Sequence, residues 1–413
     1  MTTTRQSDQA HTSAFDLLRL ARRPPAVIWA LSLLAALSLL NPGLLALSIG
    51  PVFLPLYRVA LLAGLAVIGA GRPIRASGSR RAVVIAVIWV VACVITLLAS
   101  PARTETFGTF LIYALDAVLV LFLFRSARGR MLVTCVAQAL AFLVAVSAAI
   151  AVAEYLFNTY LLPDALVAIR TRTRFGNLRG QGFAPHPLVL GTMCALLLFV
   201  PSVGRTQLSR WSWRALLVLG ILASQSRGPI LAALLGYLIH MVTHINRGLA
   251  RRLVPILVVG LVVALALLPG DDTTTTSSES TNSASYRTEL VHLAGDVVVE
   301  RPRGLGFGQL SGGVDHGYLL RRFNGAMLDF GNTVDNQFVL ALIYGGLPLL
   351  SGLLAISVLS IAALRRSTDA LVLAMFMCLF GSMLFLALLS FSATAFMFWV
   401  LVAAAASSAS RQS

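Results

Sequence analysis

Apolar residues run along most of this chain in stretches of about 18 or more, too long and too uniform for the one-sided helices of a water-soluble core. Reading with a window of about 20 residues predicts spans near 26–48, 52–70, 82–99, 109–124, 131–153, 187–203, 215–224, 229–243, 253–269, 337–360, 370–388 and 390–406. The pattern therefore predicts an all-α membrane protein with about twelve transmembrane helices and a large extracytoplasmic loop between helices nine and ten.

Two polar segments interrupt the pattern, 154–186 and 270–336. Within the second, DDTTTTSSESTNSAS (271–285) has no apolar face to bury and predicts a flexible tether. YRTELVHLAGDVVVE (286–300) then spaces Leu290, Leu293, Val297 and Val298 at helical intervals, predicting an amphipathic helix on the membrane surface or against the bundle. The expected organisation is a cytoplasmic tail at 1–25, a bundle at 26–269 with outer loop 154–186, the extracytoplasmic loop 270–336, and final spans plus a cytoplasmic C-terminus at 337–413. The tail is polar and has no short apolar core with a small-residue cleavage site.

Composition fits this picture, with 58% hydrophobic residues, 12% charged residues and mean hydropathy +0.85. Every one of the 32 cations is arginine. With the N-terminus inside, 20 arginines fall on cytoplasmic segments and 12 elsewhere, the bias that sets orientation. The net charge of +16 is thus scattered over short loops as a topology signal, and a nucleic-acid interface is not expected. Cys93, Cys135, Cys194 and Cys378 all lie in spans without metal-ligand spacing and read as small buried hydrophobes.

Several charges sit where membranes disfavour them. Arg170, Arg172, Arg174 and Arg179 crowd the outer segment 154–186, where guanidinium forks suit phosphate oxygens; alternatively they pair with Glu154, Asp164 and lipid headgroups. Arg227, in SQSRGP, interrupts two short apolar stretches. An ionisable group within the bilayer costs roughly 2.5–3.5 kcal/mol on insertion scales and is a site hypothesis by default, although pairing with Asp116 would explain it structurally. Arg58 is a weaker intramembrane candidate that can snorkel to the interface. At the mouth of span ten, VDNQFVLALIYGGLPLL (334–350) sets Asp335, Asn336 and Gln337 together. Asp335 reads either as a base or as a helix N-cap. Gly345–Gly346 reads as a close-packing site. His186, His292 and His316 are further basic candidates. A transporter using Arg58, Asp116 and Arg227 as a relay competes with an enzyme, but there is no evident repeated half.

Four stretches in order carry a family likeness: RFGNLRGQGFAPHPLVLG (174–191), SQSRGPILAALLG (224–236), YRTEL with RPRGLGFG (286–308), and DNQFVLALIYGGLPLL (335–350). The chain resembles the O-antigen ligase/polymerase family of polytopic bacterial membrane glycosyltransferases. The resemblance implies a GT-C-like fold in the bacterial cytoplasmic membrane with its active site on the outer face. It implies metal-free, cofactor-free transfer of a glycan from an undecaprenyl-pyrophosphate carrier to a glycan or glycolipid acceptor. The family's diphosphate-holding arginines correspond to Arg227 and Arg287, and Arg174, Arg179 and Arg303 are further substrate-binding candidates. Asp335 stands where the family has a loop histidine, with Asn336 beside it as the second catalytic candidate. Polymerase and ligase share the donor and differ in acceptor, so both remain open.

Overall fold

A computed structural model describes residues 26–42, 45–49, 52–70, 80–100, 103–163, 177–200, 207–245, 278–307, 316–323, 326–329, 334–366 and 370–408. Among these residues the chain forms twelve α-helices: α1 (Ala26–Leu40), α2 (Leu56–Ala70), α3 (Arg80–Ala99), α4 (Arg103–Leu123), α5 (Ala127–Phe157), α6 (Pro187–Leu197), α7 (Gln207–Ala223), α8 (Arg227–Ile245), α9 (Ser278–Glu300), α10 (Gln337–Arg366), α11 (Ala370–Ser382) and α12 (Ser392–Ser408). Eleven of them coincide with expected spans, and α9 is the loop helix. The expected span 253–269 lies outside the described residues.

The helical class holds, with one addition. Two antiparallel hairpins are present, β1 (Ala46–Ile49) with β2 (Val52–Pro55), and β3 (Leu320–Phe323) with β4 (Ala326–Asp329). The first occupies the end of the predicted 26–48 span and the start of the 52–70 span. Pro42 follows the end of the helix there, since proline cannot continue a helical ladder.

Four helical stretches are long and apolar enough to cross a membrane: Arg80–Ala99, Thr106–Leu123, Ala127–Phe157 and Gln337–Arg365. The described helices are consistent with a membrane protein by length and composition, and six shorter apolar helices accompany the long ones. Two of these are central: α6 has 11 residues and α11 has 13, and nearly every side chain in both is buried by protein. At 1.5 Å per residue they reach only about 16–20 Å, short of a hydrocarbon core of about 30 Å. The expected spans 187–203 and 370–388 thus stop early, at Leu197 and Ser382. After Ser382 the chain runs through 383–391, a largely buried non-α segment containing a short 3₁₀ turn at Leu388–Ser390. Irregular backbone of this kind is tolerated inside a membrane only when protein covers it.

The bundle is knitted by non-sequential pairs: α11 lies along α8, α10 along α3, α1 along α5, and α12 along α4. Cys93, Cys135, Cys194 and Cys378 are all buried free thiols inside it. Within this core Asp116 of α4 meets Arg58 of α2. Arg58 Nε donates to Asp116 Oδ1 at 2.8 Å and Nη2 to Oδ2 at 3.1 Å, while the Tyr57 hydroxyl donates to Oδ2 at 2.8 Å. Arg58 is therefore a buried ion-pair partner and does not snorkel. The suggested Arg227–Asp116 pairing is overturned, because both carboxylate oxygens of Asp116 are already engaged.

Helix α9 also begins earlier than expected. Ser278–Ser285 belong to the helix rather than to a tether, and 271–277 lie outside the described residues. The predicted apolar face from Leu290 onward buries Leu290, Leu293 and Val297 against α10.

Candidate active site

Helix α10 is two helices joined at Gly346. That residue has φ 56° and ψ −147°, and a Cβ there would stand 2.1 Å from the Pro302 carbonyl oxygen. Only glycine fits both the left-handed φ and the approach. The break lets the RPRGLGFG turn dock: Leu305 N donates to Ile343 O, Gly306 N to Tyr344 O, and Leu347 N to Pro302 O. Phe307 completes the joint by packing against Tyr113 and Tyr344, at ring-centroid distances of 5.3 and 5.6 Å. The Gly345–Gly346 pair thus serves close packing, as its residue type suggests. The arm 347–366 alone has twenty residues, about 30 Å. Residues 337–345 form the short helical piece before that break, with the DNQ motif at its start.

At the start of that short helix the three polar residues divide their work. Asn336 Oδ1 accepts from Phe338 N at 2.9 Å and Val339 N at 3.2 Å, so the N-cap is Asn336 and not Asp335. Asp335 is exposed beside it. Gln337 is buried: its backbone N donates to Met383 O, and its Oε1 accepts from Leu389 N, both at 2.8 Å. Two bonds from one residue tie the DNQ motif to the 383–391 segment. A buried amide at this position has no signal beyond its place in the motif.

The same segment receives the start of α8. A Cβ on Gly228 would lie 2.6 Å from Phe385 Cβ, so the helix N-terminus is pressed against 383–391 with Arg227 exposed at its tip. Arg227 opens α8 rather than lying within an apolar run, which relieves the burial cost that its sequence position suggests. Pro229 follows in the first turn, where a missing N–H costs no helical bond.

A third approach comes from 177–187. Glu154, fully buried near the C-terminal end of α5, accepts Gln181 N and Gly182 N through Oε2 at 3.1 and 3.0 Å. Ser147 Oγ accepts Phe183 N at 2.9 Å. Gly182 has φ +52°, and a Cβ there would stand 2.4 Å from Ser147 O. The RGQGF turn is thereby fixed on α5. From it Arg179 Nε donates to Ser224 O at 3.2 Å and Nη2 to Ser226 Oγ at 2.7 Å. Arg179, expected as a phosphate ligand, spends these donors on the turn that leads into Arg227. Glu154 spends Oε2 on these backbone amides, and Arg170, Arg172 and Arg174, its suggested partners, lie outside the described residues.

His186 ends this third approach as the N-cap of α6, its Nδ1 accepting from Leu188 N at 3.1 Å. Burial and then the Arg179 guanidinium lower its pKa to about 4. Its ring lies 6.5 Å from Phe391 at the end of the 383–391 segment. Three motifs distant in sequence therefore surround one segment.

The other candidates are placed as follows. Arg303 is exposed on the docked turn, whose contacts reach the far end of the 337–345 helix, roughly 13 Å along its axis from Asn336. Arg287 lies on α9 with its side chain outside the described residues, as is that of His316, and Arg170, Arg172, Arg174 and Asp164 fall wholly outside them. His292 is exposed on α9.

A helical membrane protein whose polar motifs converge on one buried crossover is the class that the fold defines. Residues 213–354, about a third of the chain, match the family model described as O-antigen ligase, which supports the resemblance to the O-antigen ligase/polymerase family. The SRG, YRTEL–RPRGLGFG and DNQ–GG motifs all fall inside the matched region, while 174–191 precedes it. No curated protein matches the chain.

Proposed function

We propose that this protein transfers a glycan from undecaprenyl pyrophosphate to a sugar hydroxyl on the outer face of the cytoplasmic membrane, as a polysaccharide polymerase or an O-antigen-ligase-like enzyme. The observation that supports the reading is that two motifs adjoin segment 383–391 through neighbouring residues: Gly228, next to Arg227, packs on Phe385, and Gln337, next to Asn336, bonds Met383 and Leu389.

In the proposed reaction Asp335 takes the proton of the acceptor hydroxyl, and the hydroxyl oxygen attacks the anomeric carbon. The C–O bond to the carrier breaks, and its electron pair leaves on undecaprenyl diphosphate. Arg227, with Arg287 from α9, stabilises the charge gathered on that leaving group. Guanidinium groups can supply this stabilisation without a metal. A single displacement inverts the anomeric centre. With its carbonyl committed to the cap, Asn336 has its NH₂ group available to orient the acceptor or Asp335.

The test uses the full protein in proteoliposomes with a lipid-diphosphate-linked glycan. Because Asn336 holds the cap, Asp335→Asn removes a base while leaving the helix start intact. We expect a stable, membrane-inserted variant slower by about 10²–10⁴. Arg227→Lys keeps charge but loses the bidentate fork and should also be strongly impaired. Wild-type turnover in both would end this reading. In cells lacking the protein, single repeats on the carrier indicate a polymerase, and long chains on the carrier a ligase.

A further inference from the structure

We infer that His186 is a further donor-binding residue, presenting a neutral imidazole Nε2–H to an oxygen of the lipid diphosphate; this rests on the reading of the site given above. The argument begins with the cap. Because Nδ1 accepts the Leu188 amide, it carries no proton, and the ring hydrogen of the neutral imidazole belongs on Nε2. The cap also locks the ring's orientation, so that the donor is held in place before any ligand arrives.

Its surroundings favour an anionic oxygen as the partner. Among the described residues Nε2 has no hydrogen-bond partner, and the ring is only partly buried. Arg179 is the charged group that acts on it, and Phe391 flanks the ring. A second cation beside Arg179 would be repelled, whereas a neutral N–H adds a donor without adding charge. With its pKa near 4 the imidazole stays neutral at physiological pH. Phe391 also places His186 at one end of the segment against which Gly228, next to Arg227, is packed. Histidine is an uncommon N-cap, and Asn or Ser would satisfy Leu188 N at least as well. A capping role alone does not account for an imidazole.

Two substitutions separate the roles. Asn at 186 retains an oxygen near the Nδ1 position and so keeps the cap, but it has nothing at Nε2. Gln reaches the Nε2 position with an amide N–H and caps poorly. Undecaprenyl diphosphate is the probe, with binding measured on purified full-length protein by ligand-induced thermal shift and by competition with the glycan donor. We expect His186→Asn to remain folded and to bind about tenfold more weakly, the loss of one hydrogen bond to a charged group. His186→Gln should recover much of that binding at reduced thermal stability. The inference is overturned if His186→Asn binds like wild type, or if folded Asn and Gln variants lose binding equally. Arg227→Lys, run in parallel, separates the two levels: weakened binding there with unaffected His186→Asn removes only His186. Failure of wild-type protein to bind the probe removes both.

Discussion

Asp116 is the residue whose loss the fold should tolerate least. Its two carboxylate oxygens receive three donors, Arg58 Nε, Arg58 Nη2 and the Tyr57 hydroxyl, at 2.8, 3.1 and 2.8 Å. The pair is almost fully enclosed, with side-chain exposures of 3% and 4%. Asp116→Ala would leave a guanidinium and a phenol buried without their acceptor. Breaking a buried ion pair from one side costs about 3–5 kcal/mol, and the Tyr57 hydroxyl adds its own desolvation of about 1–3 kcal/mol. These do not simply add, because all three groups share one network. We therefore expect destabilisation of roughly 4–6 kcal/mol. Asp116→Asn should fall between, since it retains an acceptor oxygen but no charge. The informative variant is Arg58→Met with Asp116→Leu, which removes both charges and fills the space with apolar atoms. Such replacements are commonly neutral or stabilising, so the double variant should recover most of the loss. Intrinsic tryptophan fluorescence during heating in detergent, with size-exclusion recovery after heat challenge, reads the series. A fully stable Asp116→Ala protein would refute the reasoning. A stable but inactive double variant would instead show that the pair takes part in function, as the relay of a transporter would.

Two other predictions concern the joints around the candidate site. Gly346→Ala forces a Cβ onto the Pro302 carbonyl at a left-handed φ, so the 301–307 turn should undock; proteolysis within that turn should accelerate and activity fall at least tenfold, and unchanged protection would contradict the joint. Glu154→Gln keeps an oxygen for Gln181 N and Gly182 N and should stay within about 1–2 kcal/mol of wild type, whereas Glu154→Ala strands two buried amides and should cost about 2–4 kcal/mol. Equal thermal stability of the Gln and Ala variants would show that the two amides do not depend on residue 154.

The apolar runs located eleven helices because lipid exposure is a local property: each span must satisfy its own backbone and present its own hydrocarbon surface. For the same reason the hydropathy pattern overshot at 187–203 and 370–388. Side chains buried by protein in α6 and α11 are as apolar as those facing lipid, so hydrophobicity cannot distinguish a central short helix from a full crossing. The GG pair was legible as a close-packing site, and RPRGLGFG and 174–191 as family-like stretches. Their docking partners were not, because a φ > 0 requirement is encoded in one residue whereas the carbonyl that approaches it lies tens of residues away. The Arg58–Asp116 pair shows the same division. Sequence identified Arg58 and Asp116 as charges in apolar stretches but offered Arg227 as the partner of Asp116, and only the packing of α2 on α4 chose Arg58. Likewise, DNQ announced a helix start, while the cap at Asn336 and the tether through Gln337 depend on where residues 383–391 pass. Sequence by itself determined which segments leave water and which residue types can carry chemistry. Tertiary structure alone decided which of them meet, because in a membrane the apolar faces are interchangeable and specificity resides in a few polar contacts and close backbone approaches.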